Sequence, residues 1–243
     1  MSEECRWLHQ KLEALPLIKY PFELRCLPEN EIYFTYEEGE MWGHGGNQLR
    51  VVQVGTHRAN NFHSRIAEHY LLDPRKMDFD HDQPKPSDRS IFRKHIGRAL
   101  LRKAKDPYLD IWNIDFTILA NRTQFAHCRD IPKEKRLEEE ITERMRSTLQ
   151  FRFIIIEDEE ERMGEKGLEK RFIGTFAQCC ECSKSSNWLG DHSTDKRIVA
   201  SGMWQIHHLK ADAITHLHYD RINNAISQTQ EWMRSRQCCL PYK

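Results

Sequence analysis

At 243 residues the chain is long enough for one large domain, or for a small core with a second lobe, and either can bury an adequate hydrophobic interior. Its 37 Lys and Arg balance 37 Asp and Glu. Net charge therefore excludes a chain that is basic throughout, and leaves only local charge as a guide to an anionic partner. No apolar run approaches a membrane span, and the polar N-terminus MSEECRWLHQKLEALP has no signal-peptide core, which excludes a membrane protein and makes the cytoplasm the expected compartment.

Residues 4–14 have the spacing of a short amphipathic helix, with Trp7, Leu8, Leu12 and Leu15 near one face and Pro16 closing it. Residues 32–36 and 49–55 are apolar enough for two strands, joined by the Gly-rich loop EEGEMWGHGGNQ, which is too long for a tight turn. A helix then starts near Asn61 and carries Arg65 and His69. This stretch is dense in chemistry: Tyr33, His57, Arg58, Arg65 and His69 lie around Gly55, which ends a strand and lets the backbone approach another group closely. The polar segment DPRKMDFDHDQPKPSD reads as an exposed loop.

From Arg89 to Lys105 there are seven Lys or Arg and no acid. A helix capped by Ser90 or Asp88 puts Phe92, Ile96, Ala99 and Leu100 on one side, and Lys94, Arg98, Arg102 and Lys105 on the other. That basic ridge, with Arg93, is either a solvated face or a surface that tracks nucleic-acid phosphates. Residues 114–119 read as a strand, a charged helix follows from Pro132, and residues 151–156 form a continuous apolar run expected as a buried strand.

A helix over about residues 161–177 places Glu169 amid Phe172, Ile173 and Phe176. A lone carboxylate there is costly, so it must face a cleft, pair with a cation such as Arg162 or Lys166, or bind a metal. Cys179 and Cys182 make a C-x-x-C half-site that His192, His207 or His208 could complete for zinc, but no second C-x-x-C follows, and ordinary reduced thiols are the expectation for the eight cysteines. Asn187 falls in a polar loop, where an Asn before Trp-Leu-Gly can simply cap a turn, and residues 212–236 are expected as a packing helix using Ile214, Leu217, Ile222, Ile226 and Trp232.

Ile32-Tyr33 resembles the end of a GIY signature, Val54-Gly55 the end of YIG, and Arg65-Ile66 with His69 the R-[LI]-x-x-H helix that follows in the GIY-YIG nuclease superfamily. Glu31 stands where the first Gly is usual and Gln53 where the second Tyr is usual. The segments SIFRKHIGRALL, NWLG and SGMW are similar to a bacterial subgroup of the superfamily with no assigned role. The resemblance covers about residues 27–190 and implies an α+β fold, a small mixed or antiparallel sheet flanked by helices, within a single domain whose residues 191–243 are a helical extension.

It also implies hydrolysis of DNA phosphodiesters of the restriction, defence or repair type, assisted by one Mg²⁺ or Mn²⁺ held by Glu169. Tyr33 would orient the attacking water or take its proton, given a phenol pKa lowered by nearby cations; Arg65 would pair with a phosphate oxygen. His57 and His69 would position or shuttle the proton, and Asn187 would complete the site. Arg58, Arg93, Lys94, Arg98 and Arg102 would contact nucleic acid. Gln53 cannot exchange a proton as a Tyr can, so Tyr33 and His57 must suffice or activity is lost. An inactive nucleic-acid-binding module and a nuclease acting on RNA are the alternatives, and the oligomeric state is left open.

Overall fold

The computed structural model describes residues 2–58 and 60–236; Cys238 and Cys239, expected as reduced thiols, lie outside them. Strands β1 (Ile18–Lys19), β2 (Glu31–Met41), β3 (Leu49–Gly55) and β4 (Leu149–Ile155) form one antiparallel sheet in the order β1-β4-β2-β3. Around it stand α1 (Ser2–Leu12), α2 (Phe62–His69), α3 (Pro86–Arg89), α4 (Ile91–Lys103), α5 (Leu109–Asn113), α6 (Leu119–Phe125) and α7 (Ile131–Thr148). The chain continues through α8 (Glu159–Met163), α9 (Leu168–Ala177), α10 (Lys196–Ser201) and α11 (Tyr219–Ser235). The fold is α+β, and no helix among the described residues is long and apolar enough to cross a membrane.

Both faces of the sheet are covered, which is why β4 is buried at every position and its sequence shows no alternation. On one face Phe62 of α2 meets Tyr33, Phe151 and Phe153; on the other Phe34 packs edge-on against Phe172 of α9 at 5.3 Å. At one end of β2, Trp188 and Trp204 both donate their indole N–H to Glu37 Oε2, at 2.9 and 3.0 Å. The NWLG and SGMW segments thus anchor a buried carboxylate that Arg144 also contacts.

Residues 114–119, expected as a strand, instead lie between and within α5 and α6. Asp115 accepts from the Thr117 backbone and hydroxyl, which bends the chain, and Leu119 is left 69% exposed. The run 161–177 is likewise not one helix, because the chain breaks at Gly164 and Gly167: a Cβ would lie 1.9 Å from Glu160 Oε1 at the first and 2.7 Å from the Arg162 carbonyl at the second. The break moves Glu169 from mid-helix into the first turn of α9. In the C-terminal segment, α11 packs on β4 through Phe153–Trp232 and Thr229, but Leu217 lies in a separate turn before the helix and is exposed rather than packed.

The basic ridge is also a correction. Ser90 caps α4 as expected, accepting from the Arg93 N–H at 3.3 Å. Yet Arg93 and Lys94 are buried: Arg93 holds Glu138 of α7 at 2.7 Å, and Lys94 holds Asp88 at 2.9 Å beside Lys85. Arg98 bonds to Asn113 Oδ1, and exposed Arg102 donates to the Ser193 carbonyl. A helical wheel identifies a core stripe but not a second neighbour, and here α7 and α3 bring acids to Arg93 and Lys94. Truncating one member of a fully buried pair strands the other charge. Arg93→Ala is expected to cost about 3–5 kcal/mol in denaturant unfolding; a loss below about 1 kcal/mol, the value of a surface pair, would return Arg93 to a solvated face.

Candidate active site

The site forms where β3 ends. Tyr33 of β2 pairs across the sheet with Gly55, and a Cβ on Gly55 would fall 2.4 Å from the Tyr33 hydroxyl. Gly55 is therefore required for the phenol ring to lie over the neighbouring strand. The ring stacks on Phe62, and its oxygen lies 3.0 Å from His69 Nε2. His69 Nδ1 is 2.7 Å from Ser90 Oγ, and the His69 carbonyl accepts from Arg93 at 3.0 Å. A line of polar atoms thus runs from Tyr33 through His69 to the cap of α4, fixed by a buried ion pair behind it.

Burial raises the Tyr33 phenol above its ordinary value, with Arg65 opposing and Glu169 adding to the rise. Burial also pushes His69 down to about 3, with Arg65 and Arg93 acting in the same direction. Tyr33 is accordingly neutral, and the expectation of a phenol lowered by cations is corrected: desolvation outweighs Arg65. Gln53, at the position of the usual second Tyr, accepts from Thr35 Oγ1 at 3.0 Å, and its side chain weakly opposes the rise of the Tyr33 phenol.

Arg65 projects from the same turn of α2 that carries His69 and is partly exposed; its Nη1 donates to Glu68 at 3.0 Å and to the Arg89 carbonyl at 3.3 Å. Glu169 approaches from α9. Burial lifts its carboxyl to about 7, and the contact that opposes this is a hydrogen bond from the Thr56 backbone N–H. Thr56 also donates its hydroxyl to the Glu31 carbonyl at 2.8 Å, so the residue after Gly55 links both sides of the site.

His57 is elsewhere. Its Nδ1 donates to the Arg58 carbonyl at 2.6 Å, its Nε2 lies 2.9 Å from Glu31 Oε1, and Phe62 stands between its ring and Tyr33. Burial raises Glu31 and lowers His57 from their ordinary values, which favours a neutral hydrogen bond over an ion pair at this contact. With both ring nitrogens engaged His57 has no free site for a proton, and it latches Glu31, a residue whose role the sequence reading missed. Asn187 is exposed on a turn beside Trp188, whose partner Glu37 lies four positions along β2 from Tyr33, a strand distance of about 13 Å. It does not join Tyr33 and Glu169. Arg58 is exposed. A groove of about 610 Å³ lined by Leu71, Met77, Thr142 and Arg146 shares no residue with the site.

A family model of the GIY-YIG domain matches residues 9–232. The chain belongs to the GIY-YIG domain family. No curated protein and no solved structure matches it. The segments that resemble the two signatures, Glu31-Ile32-Tyr33 on β2 and Gln53-Val54-Gly55 on β3, meet at the Tyr33–Gly55 pair, with the Arg65 and His69 helix directly after them. GIY-YIG domains are generally endonucleases and metal-dependent, so a nuclease-type activity on nucleic acid goes with membership. Glu169 fits a divalent metal: a hard oxygen donor, desolvated, with burial and not a neighbouring cation setting its titration.

Proposed function

We propose that this GIY-YIG domain is a Mg²⁺-dependent endonuclease that hydrolyses DNA phosphodiester bonds, of the restriction, defence or repair type. The observation that carries the reading is convergence on Tyr33: the phenol bonds to His69, and the partly exposed Arg65 guanidinium and the Glu169 carboxyl, from two different helices, both lie close enough to act on it. Glu169 would hold the ion, which supplies charge relief at the scissile phosphate and leaving oxygen when bound. Arg65 would pair with a non-bridging oxygen, and exposed Arg58 with a flanking phosphate. Tyr33, held by His69, would orient the attacking water through a phenol lone pair, while its own proton stays hydrogen-bonded to the neutral His69 Nε2.

The alternative reading as an inactive binding module keeps less of its surface, because Arg93 and Lys94 of the basic run are internal. The proposal is tested by incubating the full chain with supercoiled plasmid and with single- and double-stranded RNA, with and without Mg²⁺. Nicking of the plasmid only in the presence of metal is the expected result. Cleavage of RNA alone would overturn the substrate, and binding without cleavage of either would overturn the activity.

A further inference from the structure

We propose that Cys5, His44, Cys179 and Cys182 form a structural zinc site, a Cys₃His centre that pins the β2–β3 loop and the segment after α9 to α1. One ligand atom from each lies within 4.8 Å of all the others. The sulfurs of Cys5 and Cys182 are 3.8 Å apart, and Cys179 Sγ is 3.4 Å from His44 Nε2. Tetrahedral zinc, with bonds of about 2.3 Å to sulfur and about 2.0–2.1 Å to nitrogen, requires sulfur–sulfur edges of about 3.8 Å and sulfur–nitrogen edges of about 3.5 Å. Both measured edges match. A disulfide would need its sulfurs at about 2.05 Å and would leave a third thiol and an imidazole crowded against it.

The surroundings have the form of a ligand shell. His44 Nδ1 lies 2.7 Å from Glu181 Oε2, which directs Nε2 at the thiols, and Arg6 of α1 approaches the same carboxylate at 3.5 Å. A histidine that ligates a metal usually donates its other N–H to a carboxylate in this way. The side chains of Cys5 and His44 are fully buried. Gly43 brings the hairpin loop in: a Cβ there would fall 1.5 Å from the Glu181 carbonyl oxygen, so only glycine permits the approach that sets His44 over the thiols.

His192, His207 and His208, which the C-x-x-C spacing alone suggested as partners, are not in the cluster; Cys5 and His44 complete it from 177 and 135 positions away in the chain. Binding would form three Zn–S bonds and one Zn–N bond and release the three thiol protons to solvent. The centre lies just past the C-terminal end of α9, while Glu169 is in its first turn, so the ten-residue helix separates the two sites by about 15 Å. Its role is structural, and it stands independently of the cleavage reading.

The test uses the full chain purified without chelator, for metal content, and then stripped and titrated with Co²⁺ under reductant. We expect about one zinc per chain, and a cobalt form with thiolate charge-transfer and intense tetrahedral visible bands that saturates at about one equivalent. Glu181→Gln, at a partly exposed position, should fold and weaken metal affinity about tenfold to a hundredfold, while Cys128→Ser should match wild type. A fully reduced chain that takes up neither metal in stoichiometric amount would overturn the site, and so would a Cys5–Cys182 disulfide in the metal-free protein that reductant opens without any gain of metal binding.

Discussion

Glu169→Gln is expected to stabilise the chain in metal-free buffer at alkaline pH. Burial lifts the folded carboxyl from its ordinary value of 4.5 to about 7, so the folded state keeps a proton that the unfolded chain has released. Stability from the neutral acid is complete below the unfolded value and is lost as pH rises through the folded value. Glutamine has no proton to lose. The gain should be near zero at about pH 4 and approach a ceiling of about 3 kcal/mol above about pH 8, less to the extent that the partly exposed carboxyl keeps contact with water. Urea unfolding at the two pH values measures it. A variant less stable than wild type at both would mean that Glu169 is held by an ion pair.

Arg65→Lys should reduce turnover a hundredfold or more with little change in substrate affinity. Charge on the phosphate oxygens grows toward the transition state, so a guanidinium aimed there acts on rate rather than on binding. Lysine keeps the charge and loses the fork. Removal of one preorganised donor typically costs about 2.7–4 kcal/mol of transition-state stabilisation, which sets the size of the effect. Both hydrogen bonds of Arg65 use Nη1 and join it to Glu68 and the Arg89 carbonyl, so the exchange disturbs little of the fold. Single-turnover cleavage would separate the two effects: an unchanged rate with weakened binding would make Arg65 a general phosphate contact.

Much of this architecture could be read in the residues. β2, β3, β4, α2 and α7 have strong period or composition, and the bounds found differ from those expected by a few residues. Failures came where a tertiary neighbour overrode the local pattern. The run 114–119 has strand composition, yet its Ile114 carbonyl accepts from Lys85 and Lys94 and its Asp115 closes a turn. Arg93 and Lys94 looked like part of a solvated or phosphate-binding face because the acids that neutralise them, Glu138 and Asp88, belong to other helices.

The placement of the candidate residues was easier to anticipate than their bonding. Tyr33 and His69 meet at 3.0 Å, and Arg65 and Glu169 lie close enough to act on the Tyr33 phenol; their roles in cleavage are the proposal. Which histidine serves the phenol was not readable, since that depends on Phe62 standing between Tyr33 and His57, and on Glu31 occupying His57. The residues at both departures have a partner in the structure: Glu31 holds His57, and Gln53 accepts from Thr35 Oγ1. The zinc half-site was visible as C-x-x-C, but its completion needed the N-terminal helix and a glycine loop brought together by the sheet.

The central claim is that Glu169 holds the metal on which cleavage depends, beside the Tyr33–His69 line. It is tested most directly by titrating Mg²⁺ into plasmid cleavage by wild type and by Glu169→Gln, with the melting curve of each recorded in the same buffer. The account predicts wild-type cleavage that saturates with metal and stops in chelator, and a variant at least as stable as wild type that does not cut at any metal concentration. A folded Glu169→Gln variant that cleaves with an unchanged metal dependence would contradict it.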